Sequence, residues 1–136
     1  MTFVVSTEPI DCEAIEGQMR SAHHGAVVTF IGTVRETADD GAAVTGLSYE
    51  AHAPMALREF ERIGSEAKDR FGECAVSIVH RTGDLSVGEP AVVVCVGAQH
   101  RDAAFAACRY AIDQVKLRAP IWKKEHYASG RSAWKS

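Results

Sequence analysis

The stretch Lys116-Leu117-Arg118-Ala119-Pro120-Ile121-Trp122-Lys123-Lys124-Glu125 decides the fold of the C-terminal third, because it joins a long helix to an extended segment. The predicted helix before it carries an apolar stripe at the helical period, formed by Phe105, Cys108, Ile112, Val115 and Ala119. Proline cannot continue a helix and pushes the preceding residue toward extended geometry, so we predict that the chain turns at Pro120. Lys116 lies at the edge of the stripe and Lys123 follows the turn. We therefore predict that both lysines face one pocket.

Lys116 has two interpretations, and the residues alone leave both open. A lysine beside an apolar stripe can cover the core with its aliphatic stem while its ammonium stays in water. A cation near a helix C-terminus also compensates the helix dipole. Alternatively, the amine is partly buried and available for proton transfer or nucleophilic chemistry.

Charge is distributed unevenly along the chain. Residues 1–97 hold 7 Lys/Arg and 15 Asp/Glu, a net of −8, whereas residues 98–136 hold 8 Lys/Arg and 3 Asp/Glu, a net of +5. The positive charge of the last third predicts an anionic ligand there. Nucleic acid, a phosphorylated metabolite and the carboxylate tail of a partner all fit this expectation.

Composition and cysteine spacing narrow the class of protein. The chain has 136 residues, of which 46% are hydrophobic and 24% charged, as is typical of one soluble globular domain. We expect no membrane span and no signal peptide. The cysteines are far apart in sequence, which favours reduced thiols in a cytoplasmic protein over disulfides or a zinc site. The adjacent His23 and His24 point in different directions on any regular element, so we expect no metal site.

The first half of the chain alternates between strand and helix signals. Phe3 to Ser6 predicts a short strand, and Asp11 is the expected N-cap of a helix that ends by Ala22. Gly25 to Val34 is apolar on both faces, which predicts a central strand. Val44 to Ala51 predicts a second strand.

The second half completes the fold prediction. Pro54 suits the first turn of a helix that Gly72 ends. Ala75 to Arg81 and Ala91 to Gly97 predict strands, and His100-Arg101-Asp102 is expected to open the last long helix. The pattern predicts a single α+β domain over residues 1–136, with a mostly antiparallel sheet and about three helices packed on it.

Any chemistry must come from basic residues at the ends of these elements. The chain has no Gly-rich phosphate loop, no dinucleotide fingerprint and no G-x-S-x-G elbow. Arg35 follows a buried strand. A cation at a strand end is either a residue of a functional site or an exposed surface arginine. His100 and Arg101 precede the last helix, where a helix N-terminus can bind an anion. The alternative is that Asp102 caps this helix and both basic residues are flanking solvent residues.

Four motifs, in the same order, resemble the large, catalytic subunit of molybdopterin synthase. They are Gly25 to Arg35 (GAVVTFIGTVR), His80 to Gly83 (HRTG), His100-Arg101, and Lys116 to Glu125 (KLRAPIWKKE). The resemblance extends from about Gly25 to Trp134. It implies an α/β-hammerhead-like fold.

The resemblance also implies an activity and partners. The family transfers sulfur from the C-terminal thiocarboxylate of a small ubiquitin-like subunit to cyclic pyranopterin monophosphate, and so forms the dithiolene of molybdopterin. It uses no metal or organic cofactor for this step. Two large subunits form a central dimer with one small subunit at each end. The tail of the small subunit enters a pocket of the large one.

Residue roles are likewise implied by the resemblance. Lys116 is expected beside the thiocarboxylate carbon, where it supports proton transfer and stabilises charge, and Lys123 is expected to assist as a general acid. Ile112 and Phe30 are expected to pack around the site. The neighbouring large subunit is expected to share some of these residues. The full set of expected substrate-binding residues is Thr33, Val34, Arg35, His100, Arg101, Lys116, Lys123, Lys124 and Glu125.

Two other classes of function remain open from the residues. A nucleic-acid-binding domain would use the basic face with Trp122, Tyr127 and Trp134 for stacking, although the acidic N-terminal part disfavours it. A non-catalytic module would bind a ubiquitin-like tail and would tolerate arginine in place of Lys116.

Overall fold

The computed structural model describes residues 1–135, which form three helices and eight strands. In chain order the elements are β1 (Phe3–Ser6), α1 (Cys12–Met19), β2 (Ala26–Thr33), β3 (Val44–Ala51), α2 (Ala53–Phe71), β4 (Cys74–Arg81), β5 (Gly83–Ser86), β6 (Pro90–Ala98), α3 (Arg101–Arg118), β7 (Ile121–Tyr127) and β8 (Ser132–Lys135). No helix in this part of the chain is long and apolar enough to cross a membrane.

The strands divide between two four-stranded sheets. The first has the order β1-β4-β6-β2 and the second the order β5-β3-β7-β8. Every pairing is antiparallel except that of β1 with β4. The prediction of an α+β fold with mostly antiparallel strands is confirmed, but the strands form two sheets. Between β4 and β5 the chain passes from the first sheet to the second at Gly83, whose φ of +86° lies in the left-handed region that favours glycine.

Strand β2 lies at the edge of the first sheet, so the prediction of a central strand was wrong. It pairs with β6 alone, and Phe30 and Ile31 remain 38% and 41% exposed. Its two apolar faces have another cause. Val28 packs with the cluster beneath α2 and α3, whereas Val27 packs with the cluster beneath α1. Helices cover both faces of this sheet. Apolar residues on both faces of a strand therefore indicate that both faces are buried, and do not indicate whether the strand is central or at an edge.

The helix ends test the predicted caps. Asp11 accepts a hydrogen bond from the Ala14 N–H at 3.1 Å, and Gly72, with a φ of +86°, ends α2, as predicted. Helix α1 ends at Met19, earlier than the predicted limit at Ala22. The alternative in which Asp102 caps α3 does not hold. The N-cap is His100, which makes no side-chain capping bond, and Asp102 lies inside the first turn.

Half of the buried residues through which helix α3 packs are alanines. Phe105 was predicted in the buried stripe but is 62% exposed, because the buried face lies on neighbouring positions. Small side chains bring the helix close enough for the Cys108 thiol to approach the Val94 carbonyl oxygen at 3.7 Å. The buried residues of α3 are Ala104, Ala107, Cys108, Ala111, Ile112 and Val115.

The turn after α3 forms as predicted. Ala119 has extended geometry, with φ −70° and ψ 132°, and its N–H donates to the Val115 carbonyl at 3.1 Å. The Pro120 carbonyl accepts a hydrogen bond from the His52 N–H at 3.1 Å, which ties the turn to the start of α2. Strand β7 then enters the second sheet beside β3. The end of α3 therefore lies beside the inner face of that sheet.

Candidate active site

Lys116 and Lys123 line the same space between the end of α3 and the second sheet. This space has two chambers of about 170 Å³ each, and both contain Tyr49, Lys116 and Lys123 in their walls. The first, called here the Arg35 chamber, is also lined by Gly32, Thr33, Arg35, Thr37, Leu47, Ala91, Val92 and Glu125. The second, called here the His80 chamber, is also lined by His80, Val115, Ala119, Ile121 and Lys135.

The alternation of side chains along β7 selects which residues of the basic run reach this space. Lys123 and Glu125 lie on the inner face, whereas Lys124 between them points outward. The Lys124 amine lies 5.6 Å from the ring centre of Trp134 on the outer face. Lys135 of β8 is opposite Lys123 in the register and thus adds a third amine to the inner face. Of the two adjacent lysines, only Lys123 faces the chambers.

The Lys116 amine lies in a site that disfavours its charge. Lys116 as a whole residue is exposed, because the chambers open to solvent, but protein atoms replace part of the water around its amine. This desolvation, followed by repulsion from Lys123, lowers the pKa of the Lys116 amine. The amine has no hydrogen bond or ion pair with any of residues 1–135. It is therefore available to a ligand.

Arg35 is held at the chamber by the acidic loop that follows β2. Its guanidinium donates to Asp39 at 2.9 Å, and this contact lowers the pKa of the Asp39 carboxyl group. Both side chains are well exposed, so solvent and salt screen the attraction between them and the pair is weak. An incoming anion can displace the carboxylate at little cost.

Glu125 is the single acid that faces the cationic inner wall among the residues lining the two chambers. It is 8% exposed and accepts a hydrogen bond from the Tyr127 hydroxyl at 2.9 Å. The Lys135 amine lies 3.7 Å from its carboxylate. These contacts fix Glu125 beside Lys123 and leave the amines in excess.

His100 and Arg101 do not line these chambers, although the resemblance assigns them to the same site. They precede and begin α3, whereas Lys116 is near its end. At about 1.5 Å per residue, the helix separates Arg101 from Lys116 by about 22 Å. Both residues are exposed. Within one copy of the chain, the two ends of α3 therefore form separate basic regions.

The remaining expected residues have mixed positions. Thr33 is exposed at the Arg35 chamber, whereas Val34 is buried and both of its backbone groups already bond to Glu89 and Gly88. Ile112 is buried in the core beneath α3 and Phe30 lies on the exposed edge strand. Neither side chain lines a chamber.

Four polar chamber residues were not assigned a role from the sequence: Thr37, Tyr49, His80 and Lys135. His80 lay inside one of the quoted motifs, but nothing in its spacing indicated that it meets Lys116. Lys135 reaches the site through the register of β7 with β8, and Tyr49 through the register of β3 with β7. These residues could have been identified only from a knowledge of which distant segments pair with each other.

The cysteines lie apart from both chambers. Cys74, Cys95 and Cys108 are buried, and burial raises the pKa of each thiol, that of Cys108 to about 11. They are thus protonated and poor nucleophiles at neutral pH. Within residues 1–135, no group of three or more His, Cys, Asp or Glu side chains is placed to hold a metal ion.

Comparisons with known proteins identify the family of this chain. The chain is 44% identical to a molybdopterin synthase catalytic subunit of Nostoc, over 99% of this chain and 82% of that protein. It is 41% identical to the catalytic subunit of Bacillus subtilis, over 94% and 81% respectively. The crystal structure of molybdopterin synthase from Staphylococcus aureus matches with a TM-score of 0.91 and 39% identity, over 97% of this chain and 95% of that one. The model of the MoaE protein family matches residues 5–118, so the resemblance is confirmed and the chain belongs to that family.

Proposed function

We propose that this chain is the catalytic subunit of a molybdopterin synthase, which transfers sulfur from the C-terminal thiocarboxylate of a small ubiquitin-like subunit to cyclic pyranopterin monophosphate. The observation that carries the proposal is the pair of amines, Lys116 and Lys123, on one cationic space in a member of this family. The curated relatives are named catalytic subunits, which implies a second kind of chain in their enzyme.

The charge of the space suits both reactants. The substrate carries a phosphate, and the incoming tail ends in an anionic thiocarboxylate. Lys116, Lys123, Lys135 and Arg35 face this space against the single carboxylate of Glu125. Charge-assisted hydrogen bonds to such cations are stronger than neutral ones and favour both anions.

The two chambers suit different reactants. The Arg35 chamber presents a guanidinium and the Thr33 and Thr37 hydroxyls, which are donors suited to a phosphate ester. The His80 chamber has an apolar wall of Val115, Ala119 and Ile121, against which an extended tail of small residues can lie. Because Lys116 and Lys123 line both chambers, the reacting groups would meet at these amines.

Each lysine has a distinct role in this proposal. Lys116 lies beside the thiocarboxylate carbon and stabilises the negative charge that develops on its oxygen during attack. Its lowered pKa brings the amine closer to proton exchange at neutral pH. Lys123 contacts the substrate and donates a proton. The carboxylate of Glu125 helps to orient Lys135 beside them.

A second copy of the chain completes the site in this proposal. His100 and Arg101 lie about 22 Å from Lys116 within one copy, so they serve the site of a neighbouring copy. The unpaired apolar edge of β2, where Phe30 and Ile31 are exposed, supports a contact between two large subunits. The assembly is then a homodimer of large subunits with one small subunit at each end.

We also propose a cytoplasmic location. All four cysteines are free, and three of them are buried with raised pKa values. Free thiols of this kind persist in a reducing compartment.

A reconstituted reaction tests the proposed function. The chain is mixed with cyclic pyranopterin monophosphate and a small subunit whose C-terminus is either a thiocarboxylate or an ordinary carboxylate. Dithiolene formation is expected only with the thiocarboxylate form of the small subunit. The Lys116→Arg variant is expected to form no dithiolene, because the longer guanidinium remains charged and cannot exchange a proton. Tight binding of the tail without product would instead support a docking module.

A further inference from the structure

His80 is a polar residue in a row of otherwise apolar core positions. Val76 and Ile78, which share its face of β4, pack beneath α2 and α3. His80 is 3% exposed, yet it reaches the His80 chamber beside Lys116. Its ring packs edge to face with that of Tyr49 in the second sheet, with ring centres 5.0 Å apart and planes at 69°. The imidazole is therefore held between the two sheets in one orientation.

One ring nitrogen of His80 is used by the fold and the other is not. Nδ1 lies 2.8 Å from the Arg81 carbonyl oxygen, and because a carbonyl only accepts, Nδ1 carries the hydrogen. Nε2 of the neutral ring then has a free lone pair. It has no hydrogen-bond partner among the described residues, and it is not sealed in the core. The unused acceptor is thus available to the chamber.

Lys116 supplies the matching unused donor. Its amine lines the same chamber, has three donor positions when charged, and has no partner within residues 1–135. Burial, as the largest cause, lowers the pKa of His80 to about 4, so the ring is neutral at neutral pH. A neutral ring can accept from an ammonium without adding charge to a wall that already holds Lys123 and Lys135.

We propose that His80 is a positioning residue for Lys116, in that its Nε2 lone pair accepts a hydrogen bond from the Lys116 amine and holds that amine toward the His80 chamber. The four rotatable bonds of the lysine side chain allow the amine to swing to this acceptor. The hydrogen bond removes most of that freedom before the ligand arrives, and a fixed group needs less reorganisation in the transition state.

The proposal deepens the proposed function and rests on it for its effect on turnover, but the hydrogen bond itself is tested without turnover. Histidine labelled with ¹⁵N gives separate NMR signals for Nδ1 and Nε2. We expect the Nδ1-protonated tautomer of His80 in the unmodified protein, and we expect Lys116→Ala to shift the Nε2 signal toward that of an unbonded acceptor. An Nε2 signal that is the same with and without the Lys116 amine would overturn the proposal.

A pair of substitutions tests the effect of the acceptor on the Lys116 amine. His80→Asn keeps a donor near the position of Nδ1 and loses Nε2, whereas His80→Gln places an amide acceptor near the position of Nε2. A hydrogen bond to the charged form favours that form. We therefore expect Lys116 of His80→Asn to react about tenfold faster with an acetylating reagent at one fixed pH, and His80→Gln to stay within about threefold of the unmodified protein. Lys68, on α2, is the internal reference.

The turnover of the two His80 variants tests the effect of this hydrogen bond on catalysis. At saturating substrates, we expect His80→Asn to lower kcat about tenfold with KM within about twofold, and His80→Gln to recover most of the rate. A purely structural role would make the two variants equal in both labelling and turnover, and that result would overturn the proposal. Absence of turnover in every form, with the NMR and labelling results as expected, would refute the proposed function and leave the hydrogen bond established.

Discussion

The two ends of helix α3 carry basic residues of similar type, but their surroundings differ. At the C-terminal end, Lys116 meets Lys123, Tyr49 and His80 from three separate strands, and together they line one space. At the N-terminal end, His100 and Arg101 are exposed and make no side-chain hydrogen bond with the described residues. One end lines a candidate site within a single chain, whereas the other is an exposed basic surface that, in our proposal, serves a second copy.

The largest expected effect comes from the C-terminal end. Lys116→Ala should lower product formation in the reconstituted reaction by at least about 100-fold, because it removes charge stabilisation at the reacting carbon. The fold should survive, since Lys116 is exposed and unpaired within the described chain, so circular dichroism and the melting temperature should change little. Lys68→Ala, on α2, is the matched control. Comparable rates for the two variants would remove Lys116 from the chemistry.

The next prediction joins the two ends across copies. Arg101→Ala should lose activity about tenfold or more, although it lies far from Lys116 in its own chain. Mixing inactive Lys116→Ala with Arg101→Ala chains should restore activity to about a quarter of the unmodified level, because half of the randomly formed C₂ dimers contain one intact site of two. The measurement is the rate after co-refolding of the two variants. A mixture no more active than its better component would contradict a site shared between two copies.

A smaller effect is expected at Lys123. Lys123→Ala should reduce kcat by about tenfold, in the range of general acid catalysis, and should leave partner binding intact. It should also weaken the repulsion that lowers the pKa of the Lys116 amine, so labelling of Lys116 at a fixed pH should become slower. Lys124→Ala, one position along on the outer face, serves as the comparison. Equal effects of both variants on Lys116 labelling would contradict the assigned faces of β7.

The smallest effect is expected at the loop beside the chamber. Asp39→Asn should lower the KM for the phosphate-bearing substrate by no more than about threefold, because the exposed pair with Arg35 competes only weakly with an anion. High salt should reduce the difference between the variant and the unmodified chain. A large loss of activity instead would mean that Asp39 holds Arg35 in its working position.

The sequence predicted those features that depend on neighbours along the chain. Pro120 ended the helix, Asp11 and Gly72 capped their helices, and the strand pattern indicated an α+β fold. Each of these follows from local backbone chemistry. The basic run also led to Lys116 and Lys123, since one helix end and the segment after a turn necessarily lie near each other.

Features that depend on distant pairing were missed or predicted wrongly. An apolar pattern could not reveal that β2 lies at an edge, because helices cover both faces of its sheet. Phe105 was placed in the buried stripe because periodicity alone does not fix the rotation of a helix against its sheet. His80 and Lys135 reach the chambers through the packing of two sheets and the register of the last strand. Strand order, helix rotation and strand register cannot be predicted from the spacing of residues within one segment.

The order of strands has a consequence for the nascent chain on the ribosome. Phe3 of β1 pairs with Ile78 of β4, and β3 pairs with β7. Each sheet can therefore be completed only after long stretches of chain have been synthesised. Such non-local contacts impose a loop-closure cost before they contribute stability, which slows folding. The two amines of the site meet only once β7 has emerged. The inner wall of the chambers is therefore complete only after the last third of the chain has been synthesised and has paired with β3.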